Sequence, residues 1–175
     1  MKKKLIIIGS GGHGRVVADA ALKSDEFDVI GFTDDNIAPG KIIIDKYVVV
    51  ARAEEIEKIK TLAEYFIVAI GNNEIRKKIF ETFSEILKPA TVIHPFTSIS
   101  PFAKIGKGVV ILAGAVVSAN AQIGDDCIIN VQSLVDHDSI VGKHSHISRG
   151  VMVGSHCTLP ENSMLSENYS SDYGK

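Results

Sequence analysis

His137 stands between Asp136 and Asp138, and His144, His146 and His156 follow close behind it. Imidazole changes charge near neutral pH, and a carboxylate beside it can fix the ring tautomer. His137 with one of its flanking carboxylates therefore suits a general base. Near the start of the chain, Gly9-Ser10-Gly11-Gly12-His13-Gly14 fits G-x-G-x-x-G, and Asp34 lies twenty residues after Gly14. Glycines at such a turn let backbone N–H groups approach a phosphate at a helix N-terminus. His13 could donate to the same phosphate. Taken alone this is a dinucleotide fingerprint, and a weak one.

The surrounding residues say what must hold these groups. Residues 1–88 alternate between strand and helix patterns. Strands are predicted at Leu5–Ile8, Phe27–Phe32, Tyr47–Val50 and Tyr65–Ile70. Helices are predicted at Gly14–Leu22, with Val16, Val17, Ala20 and Ala21 facing inward, at Ala53–Ile59, and from Asn72 or Asn73 to about Leu87. Such alternation implies a parallel sheet with helices on its faces, a Rossmann-like α/β domain. The turn at Ile70-Gly71-Asn72-Asn73 falls on the same sheet edge as Gly9–Gly14. About four strands make one mononucleotide-binding half, so a nucleotide or nucleotide-sugar fits better than NAD, and an NAD-dependent dehydrogenase is disfavoured. Lys88-Pro89-Ala90 reads as the hinge, because proline cannot continue the helix.

Beyond it, aliphatic residues recur every sixth position from Ile93 through Ile99, Ile105, Ile111, Val117, Ile123, Ile129, Val135, Val141, Ile147, Val153 and Leu159 to Leu165. A second comb of small residues runs four positions behind, from Thr97 through Ala115, Cys127 and Ser145 to Ser163. A period of six is the mark of a hexapeptide solenoid. Three hexads make one triangular coil, with both combs inside. Gly106, Gly124, Gly142 and Gly154 follow aliphatic positions, where tight turning favours glycine. His137, two residues after Val135, falls near a corner and faces outward; His146 lies about half a coil further on. Within one protomer the two need not meet, but across a trimer interface they could. The expected domains are thus 1–88, 89–165 and a polar, disordered tail at 166–175.

Composition removes several functions. With 19 Lys+Arg and 21 Asp+Glu and no basic stripe, nucleic-acid binding has little electrostatic support. No apolar run approaches the ~20 residues of a membrane span, and the four apolar residues after Met1-Lys2-Lys3-Lys4 are too few for a signal peptide. Cys127 and Cys157 both sit on the small-residue comb and read as packed, reduced thiols of a cytoplasmic protein.

With these motifs in place, the chain resembles the bacterial sugar acyltransferases with hexapeptide repeats, which include sialic acid O-acetyltransferases and UDP-4-amino-sugar N-acetyltransferases. The resemblance covers about residues 3–165. It rests on Gly9–Asp19, Gly31-Phe32-Thr33-Asp34-Asp35, Ala69–Lys78, Asn130, Val135-Asp136-His137-Asp138 and His144–Ser148. The run from Ile70 to Ile79 is most similar to enzymes that acetylate UDP-4-amino-4,6-dideoxy sugars. The resemblance implies a left-handed parallel β-helix, a homotrimer, and acetyl-CoA as co-substrate with no metal. It implies His137 as catalytic base with Asp138 beside it. It places the nucleotide-sugar against Gly9, Ser10, Gly11, Gly12, His13, Gly14, Asp34, Asp35, Ile70, Gly71 and Asn72. Asn130 and His146 match positions lining the acetyl-CoA and amine site, and Arg149 and Lys143 are candidates for coenzyme A phosphates. Family members are expected to carry further coils after the position of Leu159, where this comb ends at Leu165. The alternatives are a sialic acid O-acetyltransferase, a shortened non-catalytic nucleotide-sugar binder, and a zinc carbonic-anhydrase-like solenoid, whose ligand pattern the spacing 137, 144, 146 does not match.

Overall fold

The computed structural model describes residues 1–166 and divides the chain into two compact units, the first Met1–Val92 and the second beginning at Ile93. The tail expected from residue 166 onward lies, apart from Ser166, outside the described residues. Among the described residues no helix is long and apolar enough to cross a membrane.

The first unit is built on β1 (Lys3–Ile8), whose Leu5, Ile6, Ile7 and Ile8 are buried on both faces. A continuous aliphatic run of this kind suits the centre of a parallel sheet covered on both sides. The chain continues through α1 (Gly12–Lys23), β2 (Phe27–Thr33), β3 (Ile42–Ile44), β4 (Tyr47–Ala51), α2 (Ile56–Leu62), β5 (Tyr65–Val68), α3 (Asn73–Ser84) and β6 (Lys88–Pro89). The sheet order is β3-β4-β2-β1-β5-β6, parallel except where β3 turns back antiparallel onto β4. Two features depart from the sequence expectation. The β3 segment adds an edge hairpin, and Lys88–Pro89 pairs with Tyr65–Phe66 as an edge strand instead of acting as a hinge. Proline is tolerated there because an edge strand has one side without ladder partners. On α1, Val17, Ala18, Ala20 and Ala21 are buried, whereas Val16 is 43% exposed.

Register decides where the loops gather. Ile8 is level with Thr33 of β2 and with Val68 of β5. The turns that follow these strands therefore leave the same edge, and the strand order reverses at β1, with β2 and β4 laid down on one side of it and β5 and β6 on the other. Ligands of open α/β sheets bind at such a switch point, beyond the carboxyl ends of the strands.

The second unit is a β-helix. Two-residue strands begin at Val92–Ile93 and recur every six residues to Met164–Leu165, forming three parallel sheets. Partners lie eighteen residues apart, as in Val110↔Ile128 and Ile128↔His146, so one coil is three hexads. Coils are stitched by backbone bonds such as His94 N–H to Ile111 O, 2.9 Å, and Ile128 N–H to Ser145 O, 2.9 Å. Both combs point inward: the core contains Ile111, Ile129, Ile147 and Leu165 together with Val109, Ala115, Ala121 and Cys127. Both cysteines are free thiols, Cys127 buried and Cys157 half-buried.

The corners do not turn where the glycines suggested. None of Gly106, Gly124, Gly142 and Gly154 has a positive φ. From Val109 onward the left-handed position lies just before each small-comb residue, at Gly108, Gly114, Asn120, Asp126, Gln132, Asp138, His144, Gly150, His156 and Asn162, with φ between 56° and 75°. Stacking explains the other glycines. A Cβ on Gly142 would come within 2.5 Å of the Glu161 amide, and one on Gly124 within 2.6 Å of the Lys143 amide, each belonging to the next coil.

Candidate active site

In the first unit the loops after β1, β2 and β5 enclose a cavity of about 440 Å³. Gly9, Ser10, Gly11, Gly12, His13, Asp34, Asp35, Ile70 and Gly71 line it, as the sequence places them. Two of the expected residues serve it from outside. A Cβ on Gly14 would meet the Gly9 carbonyl at 2.2 Å, so Gly14 lets α1 start hard against β1. Asn72 caps α3, its Oδ1 accepting from the Ile75 amide at 3.0 Å. The start of α1 itself carries no side-chain cap and no acidic residue in its first turn, which leaves its amides oriented for an anion.

Asp34 is the fixed charge of the cavity. Its carboxylate accepts from the Ser10 hydroxyl and from the Ser10 and Asn36 amides. Partial burial works against the charged form, but these hydrogen bonds outweigh it and hold the Asp34 pKa below the usual carboxylate value. Asp35 accepts from the Ala53 amide at 2.9 Å. Sequence reasoning assigned no role to Arg76, which is 1% exposed. Its guanidinium donates to the Ile70 carbonyl at 3.2 Å and to Asn73 Oδ1 at 2.9 Å, bracing the third wall. Ile75, 51% exposed, stands at the cavity lining. A larger hollow of about 620 Å³ lies at the opposite strand ends beside Lys4, Glu64 and Lys88. It offers no comparable convergence, and Lys88 is paired with Glu64 at 2.6 Å.

In the second unit His137 lies in the turn between the strands Leu134–Val135 and Ile140–Val141. Of its two acidic neighbours, Asp138 meets the ring: His137 Nδ1 lies 2.8 Å from Asp138 Oδ2. Asp136 instead accepts from the His137 backbone amide at 2.7 Å. A carboxylate only accepts, so Nδ1 carries the proton and Nε2 of the neutral ring keeps its lone pair. Asn120, at the equivalent corner one coil earlier, donates to Asp138 Oδ1 at 3.1 Å and fixes the carboxylate. The hydrogen bond to Asp138 raises the His137 pKa above its ordinary 6.5, and the reciprocal bond, then that from Asn120, lowers Asp138 below 3.8.

Asn130 and His146 form a second pair. Val131 N–H donates to Asn130 Oδ1 at 2.8 Å, which leaves Asn130 Nδ2 to donate to His146 Nε2 at 3.1 Å. His146 belongs to the strand His146–Ile147, in a different sheet from the strands that flank His137. Lys143 is paired with Asp125 at 3.4 Å, and Arg149 is exposed. His144 is only 7% exposed and bonded to buried Asp126 at 2.9 Å, so the set 137, 144, 146 does not assemble. The histidine that does approach His137 is His156. Its ring stands edge-on at 5.2 Å, and its amide donates to the His137 carbonyl at 3.2 Å. Its position one residue past a full coil was the available signal.

Comparison with known proteins agrees with this division. The PglD N-terminal domain family matches residues 4–83, and the bacterial transferase hexapeptide (six repeats) family matches residues 102–137. The acetyltransferase domain of PglB from Neisseria gonorrhoeae, solved in complex with acetyl coenzyme A, is 30% identical with a TM-score of 0.80, covering 94% of this chain and 88% of that one. A histidine-to-alanine mutant of GDP-perosamine N-acetyltransferase from Caulobacter crescentus, in complex with CoA and GDP-perosamine, shares the fold at 24% identity and a TM-score of 0.75, over 93% of this chain and 88% of that one. WeeI from Acinetobacter baumannii shares it at 19% identity and a TM-score of 0.70, over 93% and 91%.

Proposed function

The chain belongs to the hexapeptide-repeat family of acetyl-CoA-dependent sugar acetyltransferases, and from that premise we propose that it acetylates the 4-amino group of a nucleotide-activated 4-amino-4,6-dideoxy sugar, most simply a UDP-sugar. The nucleotide-sugar occupies the cavity of the first unit, with phosphate at the start of α1 and Asp34 and Asp35 turned to the nucleoside. The cavity volume suits one such ligand. The GDP-perosamine bound by the Caulobacter enzyme supports a nucleotide-sugar of this general kind.

The observation that carries the chemistry is the chain Asn120–Asp138–His137. It presents Nε2 with a lone pair on an exposed corner. The sugar amine attacks the thioester carbonyl directly. His137 Nε2 takes the amine proton as the C–N bond forms, and the C–S bond breaks to release coenzyme A thiolate, which is protonated in turn. Asp138 holds the ring and supports the imidazolium. Asn130 and His146 line the acetyl end of the thioester, and a backbone N–H or a donor near His146 stabilises the oxyanion. Arg149 and Lys143 reach toward coenzyme A phosphates.

His137 and His146 lie on different sides of the coil, so one protomer does not bring the two pairs together. A closed trimer would, by setting His137 of one copy against the Asn130–His146 pair of the next. Val116, Leu134 and Met152, stacked in register on one face and partly or fully exposed, offer apolar surface for that contact. The test is release of coenzyme A thiol from acetyl-CoA against a panel of 4-amino nucleotide-sugars and sialic acid. A UDP-4-amino sugar should give the highest kcat/KM, and His137→Ala should lose about 10²–10⁴-fold in kcat. Fully active His137→Ala removes the assignment, and sialic acid as the best acceptor replaces the substrate.

A further inference from the structure

His137, Asp138 and His156 place one potential ligand atom each within 4.8 Å of one another, and all three side chains are exposed. His156 is not needed by the transfer chemistry above, yet the fold brings it to the base. It occupies a left-handed corner at φ 58°, a backbone shape that favours Gly, Asn or Asp over histidine, and its amide ties that corner to His137.

We propose that His137, Asp138 and His156 form a binding site for a divalent transition-metal ion of the zinc class, and that occupancy of this site switches off acetyl transfer. Two imidazoles and a carboxylate suit Zn²⁺, Co²⁺ or Ni²⁺ and not the hard cations Mg²⁺ and Ca²⁺, which require more oxygen ligands. Zinc bonds nitrogen and oxygen ligands at about 2.0–2.1 Å, so ligand atoms around one tetrahedral ion stand roughly 3.3 Å apart. His137 Nδ1 and Asp138 Oδ2, now hydrogen-bonded at 2.8 Å, need to open by only about half an ångström to reach that spacing once an ion replaces the shared proton. The ligand nitrogen of His156 lies within 4.8 Å of the other two atoms, so a turn of its exposed ring that moves the tip by up to about 1.5 Å closes the third side. Asn120 holds the far oxygen of Asp138 at 3.1 Å, which leaves Oδ2 directed at the ion and supplies the outer support that metal-binding carboxylates normally have.

Inhibition follows from proton accounting and rests on His137 being the base. If the ion bonds Nδ1, the proton of the neutral ring moves to Nε2 and the lone pair there is lost. If the ion bonds Nε2, it occupies that lone pair directly. Either way no nitrogen remains to accept the amine proton.

The test uses the full-length protein, freed of metal, titrated with ZnCl₂ by calorimetry and with CoCl₂ by visible absorption. Acetylated sugar is quantified chromatographically, and coenzyme A is kept below the metal concentration because its thiol binds zinc. The informative variant is His156→Asn, since Asn120 and Asn162 already occupy equivalent corners. We expect one ion per protomer in the wild type, and inhibition that tracks occupancy and is reversed by a chelator. MgCl₂ should give neither. In His156→Asn, metal-free turnover should be unchanged, while zinc affinity and sensitivity fall by at least about tenfold. Absence of Zn²⁺ and Co²⁺ binding, or binding that His156→Asn leaves intact, overturns the site. Binding that depends on His156 but leaves turnover untouched overturns the switch, whereas the reading of His137 as base falls separately, on a fully active His137→Ala.

Discussion

Replacing Asp138 with asparagine isolates the contribution of one charge. Asn120 and Asn162 occupy the same kind of corner in other hexads with φ of 60° and 65°, so the backbone at 138 accepts asparagine and the fold should be unchanged. What changes is the hydrogen bonding. The aspartate accepts from both His137 Nδ1 and Asn120 Nδ2. The asparagine oxygen can keep His137 only by turning its own NH₂ toward Asn120, which must then reverse its amide. The surviving bond to the ring is neutral and about half as strong as a charge-assisted one. General-base assistance is typically worth about 10²–10⁴-fold in all. His137 is 49% exposed, so water screens the carboxylate and its share is the smaller part. We expect kcat to fall by roughly tenfold where His137 is neutral. The pH profile carries the sharper test. The base works when neutral, so activity rises with pH through the His137 pKa, which Asp138 holds above 6.5. Without the carboxylate that pKa falls, and the acidic limb of kcat/KM moves to lower pH. The deficit of the variant should thus shrink toward low pH and widen toward a plateau at high pH. Initial rates of acetylated-sugar formation from about pH 5.5 to 8.5 span the transition. A limb that stays in place or moves upward would refute the assigned role of Asp138, as would a loss equal to that of His137→Ala.

Gly142→Ala should lower stability by about 1–3 kcal/mol or more, because its Cβ would strike the next coil at 2.5 Å; Gly150→Ala, where space is open but φ is 67°, should cost about 1–2 kcal/mol. Chemical denaturation of both variants compares steric with torsional effects at two glycines of one solenoid. Gly14→Ala should weaken nucleotide-sugar binding measured by calorimetry while the second unit keeps its acetyl-CoA affinity, since the new Cβ drives α1 away from the Gly9 carbonyl. Asp34 has a depressed folded pKa, so its contribution to stability is present above its unfolded value near 3.8 and is lost as pH falls through the folded value. The difference in denaturation midpoint between wild type and Asp34→Asn should accordingly narrow in acid.

The β-helix was legible because its inward positions are set by chain geometry, and neither a helix nor a flat sheet returns a side chain to the core at every sixth residue alone. Its corners were not, because Gly, Asn, Asp, Gln and His all occupy the left-handed position, and no single residue type marks it. The glycines that did stand out answer to coil stacking. Near the base, adjacency alone could not say which of Asp136 and Asp138 meets the ring; that depends on the left-handed turn at 138. The Gly9–Gly14 loop and Asp34 were readable from spacing. Arg76 was not, since a charged residue on a polar helix face gives no sign that it is buried. Lys88–Pro89 misled for a related reason, as proline marks both a helix end and an edge strand.

The eighteen-residue coil turns residue number into a coordinate. Division by eighteen gives height along the axis, and the remainder gives the angle around it. Asn120 and Asp138 share an angle and differ by one step in height, and His156 takes the next step. Excising one whole coil elsewhere in the stack shortens the molecule without rotating anything. Excising a single hexad instead swings every later side chain by a third of a turn, and would carry His146 to another face while leaving the core pattern intact. Indels in multiples of eighteen can therefore preserve the chemistry, whereas indels of six can preserve the fold and abolish it.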